Sequence, residues 1–252
     1  MQDIFAEDTG NGTPLVLVHG FLGSSEMWSP QINFFKDNFR VIAPALPGFG
    51  KSSTIKPCNT IECMAKSILN FLDKEGIENF YLLGHSMGGM VVQEMVKIAA
   101  EKILKLVCYG TGPRGNIPGR FETIDQSRKQ LKINGLKDTA YRIAKTWFIE
   151  EEKAKYFYLC EEAGKQTSAE AADKGLVAMK KWNGIKNLKN IKNETLIVWG
   201  DQDRAYNLSQ VETLNKNIPN SNLRVIKNCS HNVHLENPDE FNIIVEEFLK
   251  KN

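Results

Sequence analysis

Residues 81–90, Tyr81-Leu82-Leu83-Gly84-His85-Ser86-Met87-Gly88-Gly89-Met90, pass from a short apolar run through glycines into a second apolar stretch. Tyr81 to Leu83, ended by glycine, reads as a strand buried on both faces. From Met87 to Ala100 only Gln93, Glu94 and Lys97 interrupt the apolar residues, so a helix buried over most of its circumference is predicted there. A strand that turns straight into a helix strains the backbone of the corner residue, Ser86, and the turn closes only if Gly84 and Gly88 carry no side chain. The serine hydroxyl then stands above the sheet at a helix N-terminus, where free amides favour a developing negative charge.

Outward from this corner the pattern repeats. Leu15 to Val18, Val41 to Ala43, Leu104 to Cys108 and Leu196 to Trp199 are further short apolar runs closely followed by Gly or Pro. With segments of helical period between them, they predict an α/β protein with a mostly parallel, doubly wound sheet. Ile61, Met64, Ala65, Ile68 and Leu72 form one helical stripe with Thr60 placed as its cap. Asn222 to Lys227 reads as a last strand. Asn237 and Pro238 then open a closing helix with Phe241, Ile244, Val245, Phe248 and Leu249 on one face. One region breaks the alternation: residues 113–187 separate two strands by far more than an ordinary connection and contain the amphipathic patches Tyr141 to Phe148 and Tyr156 to Leu159. They are expected to form a helical insertion over one end of the sheet, with 1–112 and 188–252 as the core.

At 252 residues the chain suits one such domain with its insertion. A composition of 42% hydrophobic and 25% charged residues is that of a globular protein, and a net charge of +2 offers no attraction for nucleic acid or an anionic membrane. The N-terminal residues lack the basic start and apolar stretch of a secretory signal, and no apolar run is long enough to span a bilayer, so a cytoplasmic location is expected. The cysteines at 58, 63, 108, 160 and 229 are odd in number and scattered, which predicts buried free thiols.

A serine hydroxyl needs a base, and four histidines are available: 19, 85, 231 and 234. His85 adjoins Ser86 and points elsewhere; His19 reads as structural; His231 and His234 lie in a loop after the last strand. An HxxH metal pair is disfavoured because no third ligand follows at suitable spacing, and no metal or cofactor is expected. Trp199-Gly-Asp-Gln-Asp ends a strand with Asp201 and Asp203, either of which could orient the imidazole. His19-Gly-Phe-Leu-Gly follows another strand and can aim the Phe21 amide, together with the Met87 amide, at a developing oxyanion. Ala45-Leu-Pro-Gly-Phe-Gly-Lys-Ser imitates a phosphate loop, but Ala45 replaces its first glycine and Pro47 removes an amide. Trp28, Trp147, Phe148 and Trp182 are candidate liners of an apolar pocket.

Taken in order, His19-Gly-Phe, Pro47-Gly-Phe-Gly-Lys-Ser, Gly84-His-Ser-Met-Gly-Gly, Gly200-Asp-Gln-Asp and Ser230-His resemble the α/β-hydrolase superfamily, in particular its small capped carboxylesterases and C-C bond hydrolases. The resemblance implies Ser86 as nucleophile, His231 as base, Asp203 rather than Asp201 as the acid, and residues 113–187 as a cap roofing the pocket. It departs at Ala45, where many relatives have an acid, and at Ser230, where a glycine usually precedes the base. Phe21-Leu-Gly-Ser and His85, in place of the Ser-Gly-Pro-Gly loop and Asn frequent in C-C hydrolases, turn the expectation toward a small-molecule ester. C-C cleavage of a diketone by the same residues, or a ligand receptor that keeps the fold without turnover, are the alternatives. A monomer or homodimer is expected.

Overall fold

The computed structural model of the chain describes residues 3–251. In chain order the elements are β1 (Ala6–Thr9), β2 (Pro14–Val18), α1 (Ser29–Phe35), β3 (Arg40–Pro44), α2 (Ile61–Lys74), β4 (Phe80–His85), α3 (Met87–Ala99), β5 (Ile103–Tyr109), α4 (Ile124–Lys145), α5 (Phe157–Gln166), α6 (Ala169–Lys181), β6 (Thr195–Gly200), α7 (Leu208–Asn217), β7 (Ser221–Ile226), α8 (Val233–Glu236) and α9 (Pro238–Lys250). The seven strands form one sheet in the order β1-β3-β2-β4-β5-β6-β7. Every pairing is parallel except that of β1 with β3. The expected parallel, doubly wound sheet is present.

Strand alternation explains why both faces are covered. Val16, Val18, Ile42, Leu82 and Leu106 belong to the core beneath α2, α3 and the insertion, while Leu15, Leu17, Val41, Leu83 and Val107 point the other way, into the core shared with α1 and α9. Thr60 caps α2 by accepting the Cys63 amide at 3.1 Å, and Ile61, Met64, Ile68 and Leu72 are fully buried on its inner face. Burial of each is worth about 2 kcal/mol, which outweighs the cap's contribution of about 1 kcal/mol. Tertiary packing therefore decides this helix.

Between β5 and β6 the chain leaves the sheet and builds α4, α5 and α6 as an inserted helical cap. A capping box at Thr123 and Gln126 starts α4, and Gly135, at φ 77° and ψ 177°, interrupts its helical backbone. Arg128 ties α4 to α6 through Asp173.

Two features differ from the sequence expectation. β1 was not foreseen, since Ala6-Glu-Asp-Thr lacks an apolar pattern; it is an edge strand fastened to β3 by the Arg40–Asp8 pair. Cys58 and Cys63 are not free thiols but form a disulfide, because the capped first turn of α2 curls back on the residues before it and brings their Cα atoms to 5.7 Å. Cys108, Cys160 and Cys229 are buried and free, as expected. Titration of denatured, unreduced protein with a thiol reagent is expected to count three thiols, rising to five after reduction; five before reduction would contradict the bond.

Candidate active site

Ser86 sits between β4 and α3 with φ 54° and ψ −116°, a left-handed conformation costing a non-glycine residue about 1–3 kcal/mol. Its surroundings over-determine that geometry. The Ser86 amide donates to the Tyr109 carbonyl at 2.9 Å, and its carbonyl accepts the Thr111 hydroxyl at 2.8 Å. A β-carbon on Gly88 would lie 2.3 Å from the Val18 carbonyl oxygen, and one on Gly84 would lie 2.4 Å from the Gly88 carbonyl oxygen. Only glycine lets β2, β4 and α3 approach this closely.

His231 and Asp203 arrive from the loops after β7 and β6. Nδ1 of His231 is 2.9 Å from Oδ2 of Asp203, and both side chains are buried. The carboxylate accepts, so Nδ1 carries the proton and Nε2 holds the lone pair. Oδ1 of Asp203 also accepts the amides of Ala205 at 2.6 Å and Tyr206 at 3.0 Å. Asp201 is used differently, receiving the Asn228 amide at the outer turn. His234 is directed away from His231: its ring meets the Tyr109 hydroxyl at 3.0 Å, and the two histidines do not converge as a ligand pair.

The His231 backbone is held from below. Its carbonyl accepts the Tyr109 hydroxyl at 2.9 Å and His85 Nε2 at 3.2 Å. From above, the carboxylate of Glu236 accepts the amides of Ser230 at 2.5 Å and Ile149 at 2.6 Å, tying the loop to the cap. Burial raises the Glu236 carboxyl above its ordinary range.

On the other side, His19 Nε2 accepts the Leu46 amide at 3.0 Å and Nδ1 donates to the Gly20 carbonyl at 2.8 Å, which fixes the loop bearing Phe21. The Phe21 and Met87 amides have no protein acceptor among the described residues. Lys51 and Ser52, in the stretch that imitates a phosphate loop, are engaged by Glu7 and the Phe5 amide.

Phe21, Ser86 and His231 line one cavity with Gly115, Ile117, Arg120, Ile124, Trp147, Met179, Ala205 and Tyr206. Its ≈ 20 Å³ admits about one water. Ser86 and His231 share no hydrogen bond among the described contacts, a looseness common in unliganded sites. Of the four aromatics expected to line the pocket, Trp147 does. Trp28 instead packs under the site on His234, 4.7 Å between centroids; Phe148 is buried against Phe157 at 5.8 Å; and the Trp182 indole donates to Glu94 at 3.2 Å. Trp28 and Phe148 satisfy their rings within the core, and the half-buried Trp182 packs against it, rather than at the cavity. The sequence reading missed Tyr206, Thr111, Tyr109 and Arg120. Burial pushes the Tyr206 phenol up to about 12, a rise eased by the charge of Arg120 and by the Ser86 and Thr111 hydroxyls beside it. These residues have no motif; only Tyr206, three positions after Asp203, carried a positional signal.

The comparisons with known proteins agree with this architecture. A family model described as the alpha/beta hydrolase fold matches residues 13–238, and the chain belongs to that family, as a hydrolytic enzyme of the fold. It is 27% identical to a 2-hydroxy-6-oxononadienedioate/2-hydroxy-6-oxononatrienedioate hydrolase of Comamonas testosteroni, over 98% of this chain and 91% of that protein. It is 26% identical to a pimeloyl-[acyl-carrier protein] methyl ester esterase of Legionella pneumophila strain Corby, over 99% and 100%. A solved structure of a thermophilic esterase from Thermogutta terrifontis superposes with a TM-score of 0.87 at 26% identity, over 98% and 93% of the two chains.

Three histidines around the site are held neutral by burial: His19 falls to about 4, His234 to about 3, and His85, additionally repelled by His231 and His234, well below its ordinary value. The unfolded chain takes up these protons below about pH 6.5 while the folded chain refuses them, so stability is highest above that pH and falls as the medium is acidified. Each imidazole contributes a slope of about 1.4 kcal/mol per pH unit. The urea midpoint is expected to drop steeply from pH 7 to pH 5; a constant midpoint would contradict the neutral histidines.

Proposed function

We propose that the protein is a serine hydrolase of carboxylic esters, with Ser86 as nucleophile, His231 as general base and Asp203 as the group that orients and stabilises the imidazole. The observation that carries this reading is the Asp203–His231 hydrogen bond of 2.9 Å, in which Nδ1 donates, so that Nε2 is left to act as base toward Ser86, which lines the same cavity as His231. In this mechanism Nε2 accepts the Ser86 proton as Oγ attacks the ester carbonyl. The tetrahedral oxyanion is held by the Phe21 and Met87 amides, each worth about 3 kcal/mol of transition-state stabilisation. Collapse expels the alcohol, which takes the proton back from His231, and water activated by the same base then hydrolyses the acyl-enzyme. The strained turn supports the nucleophile's role, since it keeps Oγ clear of its own helix and beside the free first-turn amide.

The esterases among the relatives support the ester assignment, while the Comamonas hydrolase favours a second reading, C-C bond cleavage by the same three residues. Residues 113–187 act as the lid in either case. Among the described residues no helix is long and apolar enough to cross a membrane. The Cys58–Cys63 bond is one that a reducing compartment disfavours, which weighs against cytoplasmic residence.

A series of p-nitrophenyl esters from acetate to laurate at pH 7 to 8 tests the proposal. Ser86→Ala and His231→Ala are each expected to lower kcat by roughly 10⁴-fold or more with the folded structure retained by circular dichroism. Turnover of a dienoic diketone with no ester turned over by wild type would move the assignment to C-C hydrolysis.

A further inference from the structure

The cavity beside Ser86 is lined by a cation, Arg120, that forms no ion pair among the described residues. The Arg120 guanidinium keeps one face on the Phe121 ring, 5.0 Å from its centroid, but Nη1 is buried with no hydrogen-bond partner, and no ion pair engages the group among the described residues. The acids nearby are committed elsewhere. Glu122 holds Arg142 at 2.8 and 3.0 Å and the Ser127 hydroxyl at 2.5 Å, and Asp203 is occupied by His231 and two backbone amides. Burial and the repulsion of Arg142 lower the Arg120 pKa, opposed by Tyr206 and Glu122.

Arg120 is also held in place. The Phe121 amide donates to the Arg204 carbonyl at 3.2 Å, next in sequence to Asp203, and Asn207 Nδ2 donates to the Pro118 carbonyl at 3.4 Å. The segment 118–121 is thereby strapped across the loop that carries the acid. Tyr206, Arg120 and Ser86 line the same cavity. The other cap and loop residues on the cavity wall, Ile117, Ile124, Trp147, Met179 and Ala205, are apolar.

A half-buried, positioned guanidinium whose buried Nη1 has no partner among the described residues leaves a donor that an anionic ligand can satisfy. We propose that Arg120 is the receptor for a carboxylate carried by the substrate, so that the preferred substrates are monoanionic esters, half-esters of dicarboxylic acids being the simplest. The planar guanidinium presents paired donors that match a carboxylate, and a single positive charge among apolar walls matches one negative charge better than a phosphate dianion. The inference rests on the ester-hydrolase reading for its reaction but not for its binding step.

The test compares p-nitrophenyl half-esters of succinate through suberate with the same compounds capped as neutral methyl esters. Wild type is expected to favour the anionic member at one chain length at least, and Arg120→Met to lower the anionic-to-neutral ratio of kcat/KM by about 100-fold, equivalent to about 2.7 kcal/mol. Arg120→Lys, which keeps charge but loses the fork, is expected to retain part of the preference. A ratio within about threefold of wild type in Arg120→Met, or no anionic preference in wild type at any length, would overturn the proposal. Calorimetry of monomethyl adipate with Ser86→Ala and with Ser86→Ala/Arg120→Met reads the anion site without turnover; tighter binding by at least about tenfold when Arg120 is present supports it. Arg120-dependent binding with no ester hydrolysed by wild type sinks the hydrolase reading and keeps the anion site, whereas hydrolysis without charge preference does the reverse. Should Arg120→Met fail to fold, the wild-type ratio and the binding of the anionic against the neutral compound by Ser86→Ala decide the matter.

Discussion

Gly88 brings α3 so close to β2 that any side chain there would enter the Val18 carbonyl. That contact lets the helix begin immediately after β4, which in turn forces Ser86 into its left-handed conformation at the corner. The strain is held by bonds from two directions, the Tyr109 carbonyl and the Thr111 hydroxyl, both at the end of β5. At about 1 kcal/mol net apiece, two such hydrogen bonds offset a strain of the same order. The close approach of β2, β4, β5 and α3 thus sets the direction of one hydroxyl, and the loops of β6 and β7 need only reach the same end of the sheet.

Those loops are positioned by polar groups that pack as core. Tyr109, His85 and His234 form a buried layer under His231 in which each ring contacts its neighbours, Tyr109 and His85 bond the His231 carbonyl, and the His234 ring bonds the Tyr109 hydroxyl. Low dielectric strengthens these bonds and also makes protonation of the imidazoles costly, so the layer is rigid while it remains neutral. Glu236 continues the connection upward, joining the loop of His231 to Ile149 in the cap. That one carboxylate thus ties the loop that sets the imidazole to the cap.

Much of the core was legible because buried parallel strands are short apolar runs and the turn between β4 and α3 demands glycine. β1 was not legible: an edge strand paired on one side needs no apolar pattern, and Ala6-Glu-Asp-Thr has none. The aromatic pocket liners were misjudged for the same underlying reason. Trp28 and Phe148 bury their rings under the sheet and within the cap, and the half-buried Trp182 packs against the core with its indole on Glu94, which satisfies a ring as well as a cavity wall does. The Cys58–Cys63 bond depended on how the residues before α2 fold back onto its first turn, which spacing alone does not determine.

The sequence by itself determined the alternation of strand and helix, the sharp turn at Ser86, the helical insertion and the set of polar residues at the strand ends, because each is a local pattern of apolar period or glycine placement. Tertiary structure alone decided which polar groups meet. Asp203 reaches His231 while Asp201 binds the Asn228 amide, although the two acids are separated by one residue and carry the same chemistry. Among the described residues no ion pair engages Arg120 although Glu122 lies two residues away, because Arg142, from the far end of α4, has taken that carboxylate. Partner choice among like charges depends on distances between segments far apart in the chain, and only the folded backbone sets them.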